Sequence, residues 1–204
     1  MVIVSRPAHT RRTEASSAYL ARWGAAAACL GGISYGAAGY LDAPDASGFV
    51  IGGVVPVLGV ATPALFLGSL MGLYFWPGEG GGRLRRAALL VGLVSTVLGL
   101  FDGLAWWEPD WWILLFVALT AAGLEMVFEE APRFLGILVL ASGTLGWVSL
   151  LTDPAFSGAL VPTRPVHVAF AALFCLSCVA WGVALFREAS QLAKLPRIPN
   201  SRTS

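Results

Sequence analysis

Apolar residues run along this chain in six long stretches, at 18–40, 49–76, 87–107, 111–128, 133–152 and 165–187, with most of the charges confined to the short segments between them. A hydrocarbon layer about 30 Å thick needs roughly 20 apolar residues of helix to cross it. Within lipid the backbone must satisfy its own hydrogen bonds, so stretches of that length read as helices. The pattern predicts an all-α, polytopic membrane protein. A bundle of six transmembrane helices fills 18–187, between an N-terminal tail at 1–17 and a basic C-terminal tail at 188–204.

The polar positions orient that bundle. Arg6, Arg11, Arg12 and Arg22 fall before or just inside the first stretch, and Arg83, Arg85 and Arg86 between the second and third. Arg133 opens the fifth, and Arg187, Lys194, Arg197 and Arg202 close the sixth. The alternate loops carry Asp42, Asp45, Glu108, Asp110 and Asp153, with Arg164 as their basic residue. Lys and Arg accumulate on the cytoplasmic side of membrane proteins, so both termini are expected in the cytoplasm.

Composition sharpens the class. With 57% hydrophobic and 12% charged residues, the chain has too few polar side chains to cover a water-facing surface. The connections are too short to fold by themselves, so any chemistry belongs in or beside the membrane. The basic tails suit anionic headgroups, and membrane lipid is the expected partner, with a homo-oligomer or a membrane partner protein allowed and no nucleic acid. Twelve arginines to one lysine, with abundant Ala and Gly, suggest a GC-rich bacterial genome and hence a bacterial plasma (inner) membrane, multi-pass. Arg11-Arg12 and Ala26-Ala27-Ala28-Cys29 have the ingredients of a targeting segment. Arg22 and the apolar run past Cys29 to Tyr40 instead predict a retained span.

Small residues predict how the helices meet, because in lipid close backbone approach is what favours association. Gly24, Ala28, Gly32 and Gly36 form such a stripe, Gly68 and Gly72 a second, and Gly92, Gly99 and Gly103 a third. Pro56 and Pro63 predict a kink in the second helix. The fifth stretch has no matching proline, so an inverted repeat finds no support.

Ionisable residues at depth are the main clue to function, since a charge there is costly and faces protein or water. Asp102 and His167 are expected at similar depth near the outer surface, where a carboxylate beside an imidazole makes a proton-responsive pair. Toward the inner surface the candidates are Arg22, Glu125 and Glu129. Two acids four residues apart at a helix C-terminus oppose the macrodipole, so they need a cation, with Arg22, Arg86 and Arg133 as the choices. Trp106, Trp107, Trp111 and Trp112 are expected to anchor an outer hairpin at headgroup depth.

Cys29, Cys175 and Cys178 share a depth. In its Cys-x-x-Cys motif alone the chain is similar to quinone-linked thiol oxidoreductases of the membrane, which need a second cysteine pair. Packing is the expected role of all three. Leu140-Ala141-Ser142-Gly143 is similar to the serine motif of intramembrane rhomboid proteases, but its first glycine is missing. The glycine-rich run at 77–83 lacks the Lys-Ser/Thr ending of a phosphate loop. No catalytic residue, metal or cofactor is expected. A small transporter or permeation subunit using the polar pairs is the expected function, with a non-catalytic scaffold or accessory subunit as the alternative and a thiol oxidoreductase a distant third.

Overall fold

A computed structural model of the chain describes residues 8–41, 54–76, 82–102, 111–129, 133–152 and 164–194. They form α1 (Ala8–Leu41), α2 (Val55–Tyr74), α3 (Arg83–Asp102), α4 (Trp111–Phe128), α5 (Arg133–Thr152) and α6 (Arg164–Lys194). The fourth and fifth coincide with the apolar stretches. The first begins within the expected tail, the sixth runs on to Lys194, and the third starts at Arg83, so its arginines belong to a helical turn rather than a loop. The second is shorter than its stretch. Pro56 sits in the first turn, where its missing N–H has no helical partner to lose, and Pro63 alone is internal.

Five helices, α2 to α6, are long and apolar enough to cross a membrane. The expected first span falls outside that set. Arg22 lowers its hydropathy, and so do Gly24, Gly31, Gly32, Ser34 and Gly36 along the faces it packs with. Those residues nonetheless make α1 the most closely engaged helix of the fold. A Cβ added to Gly24 would stand 2.5 Å from the Cα of Gly72 on α2, and one on Gly32 would stand 2.6 Å from the Cβ of Cys178 on α6. Only backbones without side chains approach so closely.

Each helix packs against its neighbour in sequence, and α1 closes on α6, so the six form a ring. The α4–α5 seam is also built on glycines. Gly136 abuts Met126, Gly143 abuts Thr120, and Gly123 and Gly146 receive Leu140 and Phe116. The ring has a filled centre. Phe66, Phe116 and Phe174 are fully buried, and Phe174 touches both other rings and Tyr35, with Trp112 stacked alongside. The outward positions are apolar too, among them Leu30, Ile33, Val94, Phe101, Leu151 and Leu176. An apolar exterior of this extent suits lipid rather than water.

Candidate functional site

Charged side chains gather at one end of the ring and His167 lies at the other, with hydroxyls such as Ser95, Thr96 and Ser142 buried between them. At the end where α3 begins, the first turn carries Arg83, Arg85 and Arg86 and no acid, an arrangement its own dipole disfavours. The last turn of α4 has the opposite fault, ending in Glu125 and Glu129. Packing the two ends together offsets both. Glu129 Oε1 accepts the Gly82 N–H at 2.6 Å, capping α3, while Oε2 receives Arg85 Nη1 at 3.3 Å. A Cβ at Gly82 would meet the ends of the Glu125 and Glu129 side chains, so both carboxylates close over the start of α3. The other Glu125 oxygen, Oε2, is buried without a hydrogen-bond partner.

The cation that serves Glu129 is therefore Arg85, and not Arg22, Arg86 or Arg133. Arg85 is 5% exposed. Its role was legible from the helical face it shares with Ala88, Leu89 and Gly92, all buried, once α3 is begun early enough to include it. Arg22 lies on α1, which is not a packing neighbour of α4, and its Nε is buried without a partner. Glu125 faces the α3–α4 seam rather than the middle of the bundle.

At the opposite end, His167 Nδ1 lies 3.0 Å from the carbonyl oxygen of Ser149 on α5. A carbonyl can only accept, so Nδ1 is the donor in this bond. The same carbonyl accepts Thr152 Oγ1 at 3.0 Å, and Ser149 Oγ meets Tyr35 Oη at 3.1 Å. His167 thus joins α6 to α5 while Tyr35 joins α1 to α5. Asp102 is the final residue of α3, and its side chain lies outside the described residues. So do Asp42, Asp45, Trp106, Trp107, Glu108, Asp110 and Asp153. The α3 and α6 helices are not packing neighbours in the ring.

Of the four tryptophans expected at headgroup depth, the two that are described depart from expectation. Trp111 is buried, its indole filling the space that Gly99 leaves, and Trp112 packs with Tyr35 and Phe66. Aromatic rings stand out instead at the arginine-rich end. Tyr19, Trp23, Phe75, Phe128 and Phe134 are all exposed there, on four different helices or their ends.

The three cysteines meet in the α1–α6 seam. Cys29 Sγ donates to the Val179 carbonyl at 3.6 Å, Cys175 lies against Gly36, and Cys178 is fully buried against Gly32. Each occupies a place that a glycine opposite makes available. They are free thiols, and among the described residues no three His, Cys, Asp or Glu side chains are grouped to hold a metal ion. Ser142 donates to Ser177 at 2.9 Å, linking α5 to α6. Between the polar ends the ring holds Leu70, Leu115, Leu119 and the aromatic cluster, all closely packed. No protein family, curated protein or solved structure matches the chain.

Proposed function

We propose that this multi-pass membrane protein is a non-catalytic scaffold or accessory subunit, its termini in the cytoplasm and its bundle in a bacterial plasma membrane. The observation that carries the reading is the aromatic centre. Phe66, Phe116 and Phe174 come from three different helices and fill the path a solute would take between the polar ends. Four polar pairs act as helix-to-helix latches, Glu129 with Arg85, Ser34 with Thr62, Tyr35 with Ser149 and Ser142 with Ser177, while Ser69, Ser95, Thr96, Thr120 and Thr144 bond to carbonyls of their own helices. The arginine bias supports the orientation. Purified protein in sealed proteoliposomes should give no protein-dependent flux of protons, sodium or potassium, and a flux above empty vesicles would remove the scaffold reading.

A small transporter is the second reading. What favours it is that two of the three buried side-chain atoms without a partner among the described residues are on charged groups, Arg22 Nε and Glu125 Oε2 beside Trp181 Nε1, since polar groups left unmet at depth are costly to keep for structure alone. In that case Glu125→Gln and Asp102→Asn should each abolish the flux while the protein still folds.

A further inference from the structure

Arg22 is a cation that no described residue pairs with. The antiparallel register of the α1–α6 seam is fixed by Gly32 against Cys175 and Cys178, and by Gly182 against Ala25, Ala28 and Cys29. Continued toward the arginine-rich end, it sets Arg22 level with the turn from Leu185 to Ala189. The side chain is half-buried, its Nε is covered, and among the described residues it has no hydrogen bond or ion pair. Glu188 lies at this level, yet the ion pair of the described residues is Arg85 with Glu129.

The surroundings decide what an anion here must be. Ala21, Ala25, Leu185 and Ala189 are buried and close the inner side, so a ligand reaches Arg22 along the outside of the seam. That outside is a lipid surface. Tyr19 and Trp23, 60% and 61% exposed and paired edge to face, bracket Arg22, and the stripe continues through exposed Ala26, Leu30 and Ile33. A phosphodiester offers two free oxygens to the forked guanidinium, and acyl chains have that stripe to lie on. The unpaired charge of Arg22 favours a headgroup of net negative charge.

We infer that the outer groove of the α1–α6 seam retains one anionic phospholipid, with its phosphate on Arg22. This depends on residence in a membrane and not on the scaffold reading. The test is native mass spectrometry of delipidated protein in dodecyl maltoside, titrated with phosphatidylglycerol or with phosphatidylcholine. Wild type should retain one phosphatidylglycerol in preference to phosphatidylcholine. Arg22→Gln should weaken that retention about tenfold, and Arg22→Lys, which keeps the charge and loses the fork, should fall between. Inorganic phosphate should not displace the lipid. Equal retention by wild type and Arg22→Gln, equal binding of the two lipids to wild type, or displacement by inorganic phosphate would each overturn the site. Should Arg22→Gln not fold, wild-type melting decides: stabilisation by phosphatidylglycerol alone supports the site, and equal stabilisation by both lipids rules it out.

Discussion

At the residue scale the fold depends on where side chains are missing. Gly24 and Gly72 let two backbones touch, whereas Gly59 on α2 has nothing within 4 Å of the place a Cβ would occupy. The same substitution should therefore have opposite signs at the two positions. Gly24→Ala should destabilise the protein by about 1–3 kcal/mol through overpacking. Gly59→Ala should be neutral or stabilising by about 0.5–1 kcal/mol, because a helix loses less backbone entropy with alanine. Thermal unfolding in detergent distinguishes them, and a loss at Gly59 equal to that at Gly24 would contradict the packing described. His167 offers a second test. An asparagine at this position can place its amide N–H near where Nδ1 donates to Ser149, so His167→Asn should keep most of the stability that His167→Ala loses. That loss should be modest, about 0.5–1.5 kcal/mol, as Thr152 still serves the same carbonyl.

Among elements, the joint between the start of α3 and the end of α4 is the clearest case of two helices each correcting the other's charge. Glu129→Gln removes the ion pair but leaves an oxygen to accept the Gly82 N–H, while Glu129→Ala removes both. Melting should therefore fall in the order wild type, Gln, Ala, with the alanine variant losing about 1–3 kcal/mol. Equal melting for all three would mean that α3 does not rely on this cap. The limits of sequence reading show at the same joint. A run of Arg83, Arg85 and Arg86 looks like a loop when apolar residues alone define a span, which hid a buried arginine inside a basic cluster. The α4 and α5 bounds were legible because charge and proline flank them sharply. The stripes of α1 and α2, and Gly92 and Gly99 of α3, pointed to real seams, with Gly103 outside the described residues; Gly136, Gly143 and Gly146 of α5 went unread because they are spaced seven and three apart rather than four. Trp111 and Trp112 were misplaced for a different reason. Their amphipathic rings suit headgroups equally well, and only the seat left by Gly99 decides for the interior.

For the whole molecule, the antiparallel α1–α6 seam puts the start of the first helix and the finish of the sixth at one end. Single cysteines replacing Ser16 and Gln191, in a chain whose own three are alanine, should react with an impermeant maleimide from the same side of sealed vesicles. Labelling from opposite sides would dismantle the ring. The native Cys29, Cys175 and Cys178 should stay unmodified under those conditions, being set within the seam. The ring also has an order of assembly written into it. Its most extensive contact joins α1 to the helix farthest from it in sequence, and α1 is the member least able to remain in lipid by its own hydropathy. During synthesis one flank of α1 stays bare until α6 emerges from the ribosome and covers it. Shortened chains ending before α6 would display that bare Gly- and Ala-lined flank, making them the forms a membrane protease degrades first.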